Sequence, residues 1–255
     1  MINKTVSYNK MLLDMLHQRV YQKNYKPPAE QVIFEIEHRC VGTLENIVCF
    51  TGLPKAGKST FIHSCIASAF TNDAIFGMRI KLPKKQNIIT YIDTESSQFD
   101  FYRGIERIKS FLPAKKLPDN FHAYNFRDLS PKEIKDVLSY YLTSVPQCSV
   151  LIIDGLLDTL TNYNDETESR QCIDWLKKIT KQHNILVIGV VHVGKTNLQT
   201  LGTFGSMIDR YCQSVMLVEK MKDSGYFELK PKFMRSDADF SPILIGREND
   251  GFVLK

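Results

Sequence analysis

No run of about 18 apolar residues occurs in this 255-residue chain, so no membrane-spanning helix and no membrane partner are expected. The opening stretch MINKTVSYNKMLLDMLHQRV has an amphipathic helical pattern interrupted by Asp14 and His17. It lacks the continuous apolar core of a secretion signal, and the expected compartment is the cytoplasm. No C-x-x-C pair occurs among the six cysteines, Cys40, Cys49, Cys65, Cys148, Cys172 and Cys212, which argues against structural zinc and for reduced, buried thiols. Internal repeats and low-complexity segments are also missing, which excludes a repeat array. Charge of one sign is in only slight excess: a net +5 permits nucleic-acid binding without requiring it. With 43% hydrophobic and 24% charged residues, the chain can bury a sizeable core, in one large α/β domain or two small ones.

What is present is a regular alternation. The first 30 residues read as a helical arm and linker stopped by Pro27-Pro28, and 31–255 as one domain. QVIFEIEHRC reads as a short strand and Gly42 as a turn. NIVCF, NIITYID, SVLIIDG and ILVIGVVHV are apolar runs of buried-strand type, with FHAYNF a shorter strand. Helical patterns lie between them: FIHSCIASAF, FDFYRGIERIKSFL, SPKEIKDVLSYYLTS with Ser130 as N-cap and Pro131 at its first position, and ETESRQCIDWLKKITKQHN. Continuous apolar strands alternating with helices predict a mostly parallel sheet covered on both faces. From about Tyr211, QSVMLVEK, GYFELKPKF, PILIGRE and GFVLK read as an antiparallel extension, with turns at Asp223-Ser224-Gly225 and Asn249-Asp250-Gly251.

Between a buried strand and an apolar helix stands GLPKAGKST, which fits G-x-x-x-x-G-K-[ST] from Gly52 to Ser59. The glycines let backbone N–H groups converge as an anion nest, and the helix that follows adds the positive end of its dipole. Gly52, Pro54, Lys55, Ala56, Gly57, Lys58, Ser59 and Thr60 are the candidate nucleotide-binding residues. Lys58 would reach the β- and γ-phosphates of ATP, Ser59 would hold Mg²⁺, and Lys55 and Thr60 are auxiliary. The alternative is a Gly-rich surface turn.

Such a site needs acids on the same rim. Asp154 ends the run VLII and is the candidate metal-side carboxylate, shared with Ser59; otherwise it only caps a turn. The next residue is Gly155, so no second acid follows. Glu95, just past the strand ITYID, is the candidate base that orients and deprotonates water, with Asp93 its nearest rival; the alternative is a solvated loop glutamate. His192 ends its strand on the same rim and is either a γ-phosphate sensor or a core histidine.

The order of P-loop, Glu95, Asp154, His192, a Gly-containing loop and antiparallel strands resembles the RecA-type ATPases, an α/β P-loop fold with a mostly parallel central sheet. Glu95 and the C-terminal hairpins favour that type over kinases and AAA+ proteins. YIDTE, VVHVGK and the tail RSDADFSPILIGRENDGFVL are most similar to the RepA-like hexameric replicative helicases of plasmids and mobile elements. The resemblance covers about residues 30–255 and implies a homo-oligomer, a hexameric ring, with ATP and Mg²⁺ at subunit interfaces. It implies a basic finger reaching in from a neighbour, here Arg235 first, Lys232 second and Arg210 third; the alternative is a solvated basic edge strand. The end of the preceding strand carries Lys220-Met221-Lys222 in place of a K-x-R.

It also implies single-stranded DNA held by loops 156–166 and 194–206. The second offers Lys195, Thr196, Asn197 and Gln199, with Gly202 and Gly205 for flexibility and Phe204 for base stacking; it can also be an ordinary surface loop. Three functions follow: an ATP-driven motor or helicase on single-stranded DNA, a nucleotide-gated assembly or loading ATPase acting on protein partners, and a small-molecule kinase. The third is disfavoured because no arginine-rich lid segment is present.

Overall fold

Strand β3 (Ile47–Gly52) is buried along its whole length and hydrogen-bonds to a parallel strand on each side. Its even-numbered residues Val48 and Phe50 enter one apolar core and Ile47 and Cys49 the other, which is why the run lacks polar alternation. The structure is a computed structural model describing residues 2–17, 20–21, 23–26, 29–194, 202–248 and 251–255, with the backbone alone for 2–7.

Two compact units divide the chain, 1–30 and 31–255. In the first, helix α1 (Ile2–His17) leaves Tyr8, Met11, Leu12, Leu13, Met15 and Leu16 exposed. It ends well before Pro27 and Pro28, which lie outside the described residues.

The second unit begins with β1 (Val32–Ile36) and β2 (Arg39–Thr43), a hairpin turned at Glu37-His38, both with positive φ. Gly42 is therefore a strand residue and not a turn. A Cβ there would lie 2.9 Å from Val48 Cγ2, so the bare backbone allows β2 to lie close to the main sheet. With β4 (Met78–Ile80) these strands form a small sheet of order β2-β1-β4.

The main sheet has nine strands in the order β12-β11-β10-β9-β3-β8-β7-β5-β6. Strands β5 (Ile88–Asp93), β6 (Phe121–Asn125), β7 (Cys148–Asp154) and β8 (Leu186–His192) run parallel with β3. So does β9 (Ser214–Lys220), which corrects its reading as part of the antiparallel extension: QSVMLVEK completes the parallel block beside β3. Only β10 (Phe227–Met234), β11 (Ile243–Glu248) and β12 (Gly251–Leu254) are added antiparallel.

Helices α2 (Lys58–Ser68) and α3 (Gln98–Ser110) cover one face of the sheet, and α4 (Pro131–Ser144), α5 (Glu166–His183) and α6 (Gly202–Tyr211) the other. Ser130 caps α4 in a reciprocal capping box with Glu133, and Pro131 opens the helix. Five of the six cysteines are buried and Cys40 is half-buried; all six are free thiols. Among the described residues no helix is long and apolar enough to cross a membrane.

Candidate nucleotide site

Strands β3, β5, β7 and β8 end on one rim, and each delivers one part of a site there. From β3 the chain passes through 53–57 into α2. Lys55 and Gly57 both take positive φ, 63° and 95°, and Ala56 N–H bonds back to Leu53 O at 3.2 Å. Gly57 is the N-cap of α2 and offers no side-chain acceptor, so the N–H groups of Lys58 and Ser59 meet no capping side chain and can serve an anion. A Cβ on Gly57 would meet Phe227 Cδ1 at 2.6 Å, so a side chain here would collide with β10. Pro54 and Lys55 are exposed at the crest of the loop, Ala56 packs into the core, and Thr60 N–H bonds Gly57 O at 3.0 Å.

Lys58 is buried, and its ammonium is saturated by the protein itself. Nζ donates to Gly52 O and Leu53 O, both at 2.9 Å, and lies 3.1 Å from His192 Nδ1. Burial lowers its pKa, opposed by Asp154 and Glu95. An ammonium can only donate, so His192 Nδ1 is the acceptor and the imidazole proton belongs on Nε2, 3.2 Å from Glu95 Oε1. Lys58, His192 and Glu95 therefore form one directed chain of hydrogen bonds. The bond from His192 is the main cause holding Glu95 below the usual carboxylate range, against the opposing effect of burial.

Asp93, the rival base, accepts at Oδ1 from the backbone N–H groups of Glu95 (3.0 Å) and Ser96 (2.8 Å). It shapes the turn that presents Glu95. Asp154 sits across from Asp93 in the β5–β7 register, buried, and hydrogen-bonded by the hydroxyls of Ser59 and Tyr91. Burial first, then Asp93 and Glu95, push its carboxyl up to about 7. A buried acid with two hydroxyl partners, beside the first turn of α2, fits a Mg²⁺ shared with Ser59.

The bare position after Asp154 also has a physical cause. Gly155 has φ 102°, and a Cβ there would lie 2.0 Å from Thr94 Oγ1 and 3.0 Å from Glu95 Cγ. No side chain fits, acidic or otherwise. A fourth carboxyl, beside Asp93, Glu95 and Asp154, stands at Asp158, which accepts from Thr94 Oγ1 at 2.7 Å; sequence reading missed it.

Other lining residues were also missed. A cavity of about 260 Å³ over the loop is walled by Arg107 of α3 and Phe227 of β10 besides Lys58, Glu95, Asp154 and His192. Arg107 stacks at 5.9 Å on the Phe252 ring, itself 6.0 Å from Phe227. Only the fold brings α3 and the C-terminal hairpins to the loop.

The candidate fingers are not at this rim. Met234 pairs with Ser214 and Phe227 with Lys220, whereas Gly52 pairs with Val218, so Lys232 and Arg235 lie toward the opposite end of β9. Lys232 Nζ is on Asp209 at 2.8 Å, Arg235 is exposed, and Arg210 closes α6. Three residues assigned to the 194–206 loop need correction. Gly202 begins α6, Gly205 is inside it, and Phe204 is fully buried in the core against α5, so it cannot stack on bases. Lys195, Thr196, Asn197 and Gln199 lie outside the described residues. The 156–166 loop opens with a 3-10 helix, Leu156–Thr159, anchored by buried Leu156.

The family model described as "AAA domain" matches residues 33–197, which takes in the P-loop, Glu95, Asp154 and His192. The chain belongs to the AAA domain family. This is a family of P-loop ATPases that includes RecA-like and helicase-type members. No curated protein matches the chain. In this AAA domain the match ends before β9, so the strand that completes the parallel block and the three antiparallel strands are outside it.

The raised Asp154 carboxyl gives the AAA domain a pH signature without any ligand. A folded-state pKa near 7 exceeds the unfolded value of about 3.9, so the folded state binds the extra proton between these limits. Stability from this group is complete below about pH 4 and is lost as pH rises through about 7. Asp154→Asn removes the charge in nearly the same shape. We expect it to match the wild type near pH 4 and to exceed it at pH 8 by up to about 4 kcal/mol in urea melts without Mg²⁺. An equal difference at both pH values would remove the buried charge as the cause.

Proposed function

We propose that this chain is an ATP-hydrolysing RecA-like motor of the RepA-like kind, acting on single-stranded DNA as a homo-oligomeric, hexameric ring. The observation that carries the reading is the chain Lys58–His192–Glu95, which ties the phosphate-binding lysine to the water-activating acid through a histidine at a strand end. A triphosphate in the loop competes for Lys58 with the carbonyls of Gly52 and Leu53 and with His192. As Lys58 turns to the phosphates, His192 loses its donor. Its grip on Glu95, the main cause of that acid's low pKa, becomes free to change, and Glu95 moves toward the basicity a proton acceptor needs.

Ser59 and Asp154 would hold Mg²⁺, which would supply charge neutralisation for the phosphates. The planar faces of Phe227 and Phe252 beside Arg107 suit a nucleobase. His192 stands three residues before 195–201, where Lys195 supplies a cation for a phosphate backbone. Arg235 is the finger proposed to reach a neighbour's γ-phosphate, ahead of Lys232, because Arg235 is exposed while Lys232 is engaged by Asp209.

The test is ATP turnover by the purified protein with and without single-stranded DNA, with Lys58→Ala as the blank. We expect DNA to raise turnover at least severalfold. Turnover indifferent to DNA rejects the motor. It leaves the reading favoured by the burial of Phe204 and by the exposed apolar residues of α1: a nucleotide-gated assembly ATPase acting on protein partners.

A further inference from the structure

Behind the metal-side acid lies a fully buried tyrosine whose hydroxyl is within hydrogen-bond reach of two acids and a histidine. Tyr91, 1% exposed, points from β5 toward α2. Its Oη is 3.2 Å from Asp154 Oδ2, 3.4 Å from Asp93 Oδ2 and 3.4 Å from His63 Nε2. A buried phenol is costly unless its hydroxyl is bonded, and phenylalanine would fill the same space without that demand. The hydroxyl therefore has work to do for the groups it meets.

The polarity of the chain follows from counting protons. Asp93 Oδ1 already accepts from two backbone N–H groups of the 94–96 turn. Tyr91 has one proton and donates it to a carboxylate, with Asp154 the nearer. His63 Nε2 must then carry the imidazole proton and donate to Tyr91 Oη, which leaves Nδ1 bare, and Nδ1 is a buried atom without a partner. Burial holds the pKa of His63 down to about 3, so the ring stays neutral and keeps this single-donor form. Packing fixes the arrangement. The His63 ring meets Tyr91 edge-on at 5.7 Å, and Phe101 of α3 stacks on Tyr91 with planes 5° apart. Gly104 of α3 makes room for the imidazole, since a Cβ there would lie 2.9 Å from His63 Cε1. His63 is one helical turn after Ser59, so α2 presents the metal-side hydroxyl and this donor on the same face.

We infer that Tyr91, backed by His63, is a positioning residue that holds the Asp154 carboxylate in place for the divalent cation. The inference rests on the reading of Asp154 and Ser59 as the Mg²⁺ side of the site. Groups that orient a metal ligand in this way are worth 10- to 100-fold in metal affinity.

The experiment titrates Mg²⁺ against the binding of a fluorescent ATP analogue to the full chain, followed by anisotropy, with a parallel series in EDTA. Thermal melts accompany each variant. For Tyr91→Phe we expect the half-saturating Mg²⁺ concentration to rise 10- to 100-fold, with affinity in EDTA unchanged. His63→Leu, which removes the donor behind the phenol, should move the same midpoint in the same direction by a smaller factor. His63→Gln, whose amide can still donate, should restore most of it. If the wild type binds equally well with Mg²⁺ and in EDTA, or Asp154→Asn leaves the Mg²⁺ midpoint in place, the site reading fails and this inference with it. If wild type and Asp154→Asn behave as expected while folded Tyr91→Phe titrates like the wild type, the positioning role alone is overturned. A loss of affinity in EDTA equal to that in Mg²⁺ would also overturn it, by showing a general packing defect.

Discussion

Glu95→Gln should bind Mg·ATP within a few fold of the wild type and lose turnover by 10²- to 10⁴-fold, the range a positioned general base supplies. The substitution is nearly isosteric, and its amide oxygen can still accept the proton that His192 Nε2 now gives to Glu95. Its backbone N–H keeps its bond to Asp93, so the turn is undisturbed. What is lost is the ability to take a proton. Single-turnover hydrolysis with a separate binding assay distinguishes this from a folding or binding defect. Turnover within tenfold of the wild type would exclude Glu95 as the base. Attention would then pass to Asp158, because Asp93 Oδ1 is already committed to two backbone N–H groups.

Lys58→Ala should raise the dissociation constant for Mg·ATP by about 10²- to 10³-fold, the effect of truncating one partner of a desolvated charge pair. Calorimetric titration reads it directly. The substitution also strips the carbonyls of Gly52 and Leu53 of their shared donor and leaves His192 Nδ1 without one. In the unliganded protein the His192 ring then keeps its bond to Glu95 but loses the one at Nδ1, and its NMR signals should shift. Unchanged nucleotide affinity in a folded Lys58→Ala protein would reject the loop as the phosphate site.

The legible parts of the molecule were those encoded by contiguous residues. The P-loop is a single run with its own strand and helix, and β3, β7 and β8 are buried on both faces, so their sequences are apolar without a break. Asp154, Glu95 and His192 come together because each closes or follows such a strand, and parallel strands share a rim. Helix α6 was not legible, because GTFGSMIDRY opens with Gly202 and contains Gly205, both poor helix formers. Burial of Phe204 and Ile208 in the core shared with α5 outweighs that propensity, and a residue taken for a base-stacking ring proved to be core. The unbroken apolar run SVMLV already carried the mark of a covered parallel strand, but turn residues farther along suggested hairpins throughout. Tyr91 and Asp93 share a strand face by period 2, and Ser59 and His63 a helix face by i, i+4. Neither pattern tells which face meets which. Arg107 and Phe227 carry no local signal at all.

The bare backbone at Gly155 has one more implication. With no room for a side chain after Asp154, the two acids Asp154 and Glu95 come from different segments, β7 and the turn beyond β5. They are joined by ladder hydrogen bonds and by the bond from Thr94 N–H to Asp154 O, at 3.1 Å. The separation of the two carboxyls is therefore set by the register between β5 and β7 rather than by the backbone of a single turn.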